Sequence, residues 1–443
     1  MDLRLDGRMV GGPKVSPLKA SGNNIRRVLM VAFHFPPQRG SSGVQRTLAF
    51  ARHLGEGGWL PSVLTAASHA HESWADDQLG DIPPAVTVRR AFALDSARHL
   101  AIRGRYLGLS ALPDRWISWW LGAVPAGWRM IRRQRPEVLW STYPIATAHL
   151  IALALQRMSG LPWVADMRDP MLDDEYPRGA LARCAAAWIE ARTVARCSRL
   201  VCTTPGAIRA YRARYPQVPA ARFVLIENGY DEANFADAER LAATRASSGA
   251  HPDEVLMLHS GIIYPFERDP RALFEALAAL LQGGLVCGVR LRLVLRAPVH
   301  DGFLRALIAE HGLQGVVEVA PHLPYREALA EMLGADALLL LQAANCNHQI
   351  PAKLYEYLRA RRPVLALTDS AGDTAQALRS AGIDTIAALD SKAAIRAAIE
   401  SFMRALADGS APVPSPETSR AHARSARAAQ LAILLSEVAD EAC

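Results

Sequence analysis

Residues 350–367 read IPAKLYEYLRARRPVLAL, a set of types and spacings suited to gripping a diphosphate and a ribose. Pro351 stands where a first-turn residue needs no N–H donor, so a helix is expected to open there. The opening turn, Pro351, Ala352, Lys353 and Leu354, then presents unpaired backbone N–H groups and a positive dipole end to a phosphate. Lys353 adds a point charge beside it. Glu356, about a turn and a half further on, is placed to accept two hydrogen bonds from a vicinal diol such as a ribose. Arg361 and Arg362 close the helix, and Pro363 leads into the apolar run 364–367, which reads as a parallel strand. Taken singly, each residue has an ordinary reading as a helix start, a solvated lysine or a surface carboxylate. The lysine is the more telling because Lys14, Lys19, Lys353 and Lys392 are the only lysines in the chain.

Four further segments carry candidate chemistry. HSGIIYPFERDP (259–270) follows an apolar run and sets Gly261 and Arg268 ahead of a helix. A guanidinium there suits the negative charge that builds on a departing diphosphate, although Arg268 and Asp269 are equally a helix-start pair. ADMRDP (165–170) ends a strand, where open α/β sheets place their ligands. Asp166, Arg168 and Asp169 are candidates to orient acceptor hydroxyls or contact a sugar, with capping as the plainer alternative. In the loop HFPPQRGSSG (34–43), Gly40 and Gly43 allow close backbone approach to a ligand, without a GxGxxG pattern. Residues 114–135 hold Trp116, Trp119, Trp120 and Trp128 followed by Arg129, Arg132, Arg133 and Arg135. That mixture suits the edge of a bilayer, or a helix whose tryptophans pack on a sheet. Tyr143 and His149, in STYPIATAHL, are weaker candidates, since a lone histidine in an apolar helix is more often structural.

These residues need a scaffold of strands and helices. Residues 27–33 read as a buried strand, 44–54 as a helix and 60–65 as a strand, a Rossmann-like order. Short apolar runs at 137–141, 163–166 and 200–203 alternate with helical stretches at 146–158 and 181–196, which implies a parallel sheet. The pattern restarts with strands at 255–259, 290–295, 316–319 and 337–341 and helices at 271–281 and 325–333. The expected divisions are a lead-in at 1–24, a first domain at 25–229, a second at 230–410, and a linker with a terminal helix at 411–443. Pro412, Pro414 and Pro416 mark the linker over 411–417, and the last helix is expected over 419–438.

Together these segments resemble the retaining glycosyltransferases of the GT-B fold, specifically the large bacterial group (family four) that builds cell-surface polysaccharides. The signature of that group is two glutamates eight positions apart, the second bonding the ribose. Glu356 matches the second, and His348 occupies the first position. The segment fits the variant IP-x-K-L-x-E-Y-L that a subset of the group carries. HSGIIYPFERDP is similar to the group's G-x-x-x-x-x-K element, with Arg268 in place of the lysine and one position further along. The resemblance implies an α/β GT-B fold, two Rossmann-like domains facing across a cleft with a terminal helix crossing back to the first. It implies Arg268, Lys353, Asp166, Arg168 and Asp169 as catalytic residues, and Gly40, Gly43, Gly261, Pro351, Ala352, Lys353, Leu354 and Glu356 as donor contacts. The substrate would be a nucleoside diphosphate sugar, with no cofactor, and the acceptor a saccharide or a lipid-linked saccharide. Retention would proceed by same-face attack, with the leaving phosphate taking the acceptor's proton. No DxD pair stands at a strand end, so Arg268, Lys353 and helix N-termini are expected to neutralise the diphosphate in place of a metal. A sugar-nucleotide epimerase of the same fold and a catalytically silent partner subunit are the alternatives.

Composition sets the outer bounds. A chain of 443 residues suits two domains of roughly 200 residues each, and a hydrophobic content of 50% excludes a disordered chain. No apolar stretch reaches the roughly 18 residues of a membrane span, so a cytoplasmic protein is expected, with the inner face of the cytoplasmic membrane as a candidate location. Cys184, Cys197, Cys202, Cys287, Cys346 and Cys443 show no metal spacing and read as free thiols. The net charge of +7 comes from arginines scattered among acids, which argues against nucleic acid and for phosphates or an anionic membrane surface.

Overall fold

The computed structural model describes residues 25–442 apart from 39–41, 102, 104, 106–107, 174–175, 246–253 and 283–289. The lead-in 1–24 and Gly40 therefore lie outside the described residues. Seven strands form the first sheet: β1 (Arg26–Val31), β2 (Trp59–Ala66), β3 (Thr87–Ala91), β4 (Val138–Thr142), β5 (Trp163–Met167), β6 (Arg199–Cys202) and β7 (Phe223–Leu225). They run parallel in the order β3-β2-β1-β4-β5-β6-β7. The second sheet is β8 (Glu254–Ser260), β9 (Arg290–Arg296), β10 (Val317–Ala320), β11 (Ala337–Leu341), β12 (Val364–Leu367) and β13 (Ile386–Ala387), parallel in the order β10-β9-β8-β11-β12-β13. Central strands such as ALLLL of β11 are buried throughout, as a sheet covered by helices on both faces requires.

In chain order the helices of the first half are α1 (Ser42–His53), the short α2 (Ser96–His99), α3 (Trp119–Gln134), α4 (Ala146–Ser159), α5 (Ala180–Arg196) and α6 (Pro205–Arg214). Those of the second half are α7 (Glu232–Arg245), α8 (Arg271–Gln282), α9 (Asp301–Glu310), α10 (Tyr325–Gly334), α11 (Lys353–Ala360), α12 (Asp373–Ser380) and α13 (Lys392–Ala407), followed by α14 (Pro416–Ala421) and α15 (Arg424–Asp440). Helices α3 to α6 pack one face of the first sheet, while α1 and α15 pack the other. The second sheet is sandwiched by α8, α9 and α13 on one side and by α7, α10, α11 and α12 on the other.

The expected terminal helix is in fact two. Helix α14 opens with Pro416 at its start and Ser415 capping the Thr418 N–H, so part of the expected linker is helical. The break at His422 and Ala423 has a physical cause. The Tyr230 N–H donates to the His422 carbonyl (3.2 Å) and the Arg424 N–H donates to the Tyr230 carbonyl (2.8 Å). Tyr230 pairs with Ala423 as an isolated parallel bridge. The two chain crossings between the sheets are thus stitched together, and those backbone groups are taken from the helix ladder.

Beyond the break α15 crosses back to the first sheet. Ala428, Leu431, Leu435 and Val438 recur at helical spacing and are buried against Val28, Met30, Leu48 and Trp59. The Trp59 indole N–H donates to Ser436 Oγ (3.1 Å). Leu435, fully buried in this cluster, therefore stabilises a domain that begins four hundred residues earlier in the chain. Leu435→Ala is expected to destabilise that domain by about 2–5 kcal/mol, read from urea unfolding followed by tryptophan fluorescence. A loss under about 1 kcal/mol would place α15 outside the core.

Candidate active site

The site forms where the carboxyl ends of the two sheets face each other, at the switch points beside β1 and β4 in one sheet and β8 and β11 in the other. Its foundation is a buried ion pair. Asp166, at the end of β5, accepts from Arg46 Nε and Nη2 (3.0 and 2.9 Å) and from Thr142 Oγ1 (3.0 Å). The carboxylate is wholly buried and both oxygens are hydrogen-bonded within the protein, so Asp166 presents no accessible oxygen to a substrate. This corrects the expectation of a catalytic Asp166, which instead positions its neighbours. Arg46 also donates to the carbonyls of Ile226 (2.9 Å) and Glu227 (2.8 Å) on the chain crossing. Arg46 escaped the sequence reading, although an arginine on the apolar face of α1, beside Val44 and Leu48, was the available signal.

Two residues beyond Asp166, Arg168 is 7% exposed and its carbonyl accepts from Thr203 Oγ1 (2.7 Å). Burial lowers its pKa against the opposing pull of Asp169 and Asp166. A Cβ on Gly43 would lie 2.3 Å from Arg168 Nη1 and 2.6 Å from His34 Nδ1, so glycine is required there to seat the guanidinium. Burial and the Arg168 charge push His34 down to about 3, leaving it neutral.

Arg168 and the exposed Asp169 form one wall of a cavity of about 170 Å³ between the domains. The other wall carries Glu267, Arg268, His348, Pro351 and Ala352. Arg268 donates to the Ile262 carbonyl and stacks on the Tyr264 ring at 5.4 Å. Gln342 Nε2 donates to the carbonyls of Cys346 (2.9 Å) and Gln349 (3.0 Å), fixing the loop that presents His348. The walls touch directly. Thr204 Oγ1 donates to the His348 carbonyl (2.6 Å), and buried Asp373 accepts from the Gly206 N–H and from Arg209 Nη2 (2.7 Å). Neither Glu267 nor the Asp373 latch was read from the sequence, because both depend on which loops the fold brings together.

Behind this wall lies the lysine. Helix α11 opens at Lys353, two residues later than expected, which puts Glu356 in its first turn. The Leu354 and Tyr355 N–H groups close onto the carbonyls of Pro351 (2.9 Å) and Ala352 (3.3 Å), and Leu354 is wholly buried. The expected donor contact at Leu354 is thereby corrected: its N–H is spent and its side chain belongs to the core. Lys353 Nζ lies 3.1 Å from His259 Nε2, while His259 Nδ1 faces the Leu339 carbonyl at 2.9 Å. A carbonyl only accepts, so Nδ1 carries the proton and Nε2 accepts from the lysine. Gly261 sits at φ +113°, a backbone conformation that favours glycine, and a Cβ there would lie 3.1 Å from Lys353 Nζ. Glu356 Oε1 accepts from the Tyr325 hydroxyl (2.6 Å). Gly261, Lys353 and Glu356 stand beside the cavity and do not line it.

The remaining candidates resolve structurally. His149 is wholly buried with Nδ1 2.7 Å from Ser141 Oγ, and Tyr143 is buried in the same cluster. Trp119 is fully buried, and Trp116 and Trp128 pack against the core. The tryptophans of 114–135 are thus corrected to core residues, apart from Trp120, while Arg129, Arg132, Arg133 and Arg135 stay exposed.

Two parallel α/β sheets facing across this cleft, with a terminal helix returning to the first, define the GT-B architecture. Residues 41–229 match the glycosyl transferase 4-like domain. Over the whole chain the structure is similar to a glycosyltransferase from Rickettsia africae ESF-5, with TM-score 0.66, 11% identity, and 94% of this chain and 99% of that one covered. It is also similar to sucrose-phosphate synthase from Thermosynechococcus elongatus (TM-score 0.62, 15% identity, 93% and 98% covered). A third likeness is to Anabaena HepE in complex with UDP-glucose (TM-score 0.61, 13% identity, 93% and 99% covered). No curated protein matches the sequence.

The lysine generates a pH prediction. Burial, together with the Arg268 charge, lowers the Lys353 pKa well below the ordinary value, with Glu356 opposing. The cation that would attract a diphosphate is present below that lowered pKa and lost as pH rises through it. Nucleoside diphosphate affinity, measured by calorimetry, is therefore expected to decline at a pH well under that at which an exposed lysine titrates. In Lys353→Arg the affinity should stay level over the same range. Equal profiles for the two proteins would rule out a role for the Lys353 charge in holding a diphosphate.

Proposed function

We propose that this chain is a glycosyltransferase that moves a sugar from a nucleoside diphosphate donor to a saccharide or lipid-linked saccharide, in synthesis of cell-surface polysaccharide. One observation carries the reading. An interdomain cavity with Arg168 on one wall and Arg268 on the other sits next to the Gly261, Lys353 and Glu356 cluster, on a chain whose first domain matches a glycosyl transferase 4-like domain. The UDP-glucose complex of the HepE neighbour supports a nucleotide-sugar donor.

In this reading Arg268 and Lys353 hold the diphosphate and stabilise the charge that grows on it as the sugar leaves, which fixed cations do without reorganising. The same charges make a divalent metal unnecessary. Glu356, steadied through one oxygen by Tyr325, offers the other to the ribose. Asp169 faces the cavity from the acceptor side and orients the incoming hydroxyl, with attack on the same face retaining the anomeric configuration. Sites for small ligands usually span about 300–1,000 Å³, so the domains part at the Asp373 and Thr204 contacts to admit the donor. His348, in place of an acidic residue, favours a second reading as a catalytically silent partner, and an epimerase would share the diphosphate grip.

Turnover separates these readings. With EDTA present, the purified chain is expected to consume one nucleoside diphosphate sugar only when an acceptor is supplied. Glu356→Gln should weaken donor binding by roughly ten- to hundredfold, the equivalent of about 1.5–3 kcal/mol for a charged hydrogen bond. Turnover without acceptor would indicate an epimerase, no turnover a silent partner, and restoration only by magnesium or manganese a metal-dependent site.

A further inference from the structure

We propose that the outer face of α3, α4 and α5 docks on an anionic lipid surface, with Leu181, Cys184 and Trp188 of α5 entering the headgroup boundary. The inference rests on the reading of a lipid-linked acceptor and moves the membrane contact away from the tryptophans of 114–135, of which Trp119 is buried in the core and Trp116 and Trp128 pack against it.

Helix α5 shows the pattern most clearly. Leu181, Cys184, Trp188, Arg192 and Arg196 fall within one stripe at 100° per residue, and all are exposed. Ala186, Ile189, Thr193 and Val194 on the opposite side are buried on the sheet. Leu181 is 68% exposed and Trp188 49%, large apolar side chains left in water at one end of a stripe whose other end is basic. The Arg192 guanidinium lies 5.6 Å from the Trp188 ring centroid, an amphipathic pair suited to an interface where one end is apolar and the other wet.

The neighbouring helices extend the face. Helix α4 packs between α3 and α5, and Leu121 (65% exposed) and Met158 (48%) add apolar surface. Arg129, Arg132, Arg133, Arg157 and Arg183 add exposed charge. Across the three helices the only carboxylate is Glu190, and it is buried and bound by Arg214 and Tyr215. An exposed helical layer with guanidinium groups and no exposed carboxylate is complementary to a phospholipid anion. It is poorly suited to a second copy of itself, which would set like charges together. In chain order the cavity-wall residues Asp169 and Pro170 come shortly before the exposed Tyr176 and the start of α5.

Co-sedimentation with vesicles tests this. The full chain is expected to pellet with phosphatidylglycerol/phosphatidylethanolamine vesicles at low salt and not with phosphatidylcholine alone. Binding should weaken sharply at 1 M salt, where the Debye length is about 3 Å. The double variant Leu181→Ser, Trp188→Ser should bind at least tenfold more weakly, and Arg192→Gln with Arg196→Gln should lower the salt-sensitive part. All four side chains are exposed, so unfolding midpoints should stay close to wild type. Donor binding without vesicles should be unchanged, which separates failure of this proposal from failure of the transferase reading. Wild type that remains in the supernatant with anionic vesicles, equal binding to phosphatidylcholine, self-association lost in the double variant, or undiminished pelleting of that variant would each overturn it.

Discussion

Arg46 is 4% exposed and lies among the end of β5, the first chain crossing and the start of α1. Withdrawing a guanidinium and a carboxylate from water costs several kcal/mol for each ion, offset only when the geometry supplies acceptors for every available proton. Here Asp166 takes two of those hydrogen bonds and the carbonyls of Ile226 and Glu227 take others. The crossing is therefore fixed relative to the strand end that carries Arg168 and Asp169. Its second side is held by Arg427 of α15, which donates to the Glu227 carboxylate. Burial of two arginines around one stretch of backbone thus sets where the second domain stands over the first.

The cleft inherits its shape from that arrangement. Each wall is built at a switch point, where neighbouring loops diverge and leave a crevice, and the Tyr230 stitch keeps the two crossings side by side. What remains free to change is the contact between the walls. Asp373 and Thr204 join them by a few hydrogen bonds without an apolar core, since the hydrophobic clusters stay within the separate sheets. Polar interdomain contacts of this kind are the ones expected to open and close. Lys353 is held differently, by His259 from within its own domain, so the cation keeps its place whether or not the walls meet.

The central strands were legible in the sequence because strands buried on both faces read as unbroken apolar runs, as 337–341 and 364–367 do. Three of the four edge strands were not, although β10 was read at 316–319. The β3 segment TVRRA is half-exposed and carries two arginines, and β13 has two residues, so neither leaves an apolar signal. The helix of 350–367 was legible, while its first residue was misplaced because proline marks a start without deciding which turn closes first. Arg168, Asp169, Arg268, Pro351 and Ala352 were found as separate motifs and meet in one cavity. Asp166 was misread because only tertiary structure could reveal that Arg46 consumes both its oxygens. The tryptophans of 114–135 were ambiguous for a related reason: the sequence spacing did not settle which face of the helix met the sheet.

A panel of UDP-, GDP-, ADP- and dTDP-sugars in thermal unfolding tests the central claim, that the cleft grips a nucleoside diphosphate between its fixed cations. At about a hundred times its dissociation constant a bound donor stabilises by about 2.7 kcal/mol. The account predicts that one nucleotide raises the unfolding midpoint of the wild type and that the rise is lost in Arg268→Ala and in Lys353→Ala. A panel in which no nucleotide moves the midpoint, or in which both variants respond as the wild type does, would contradict it.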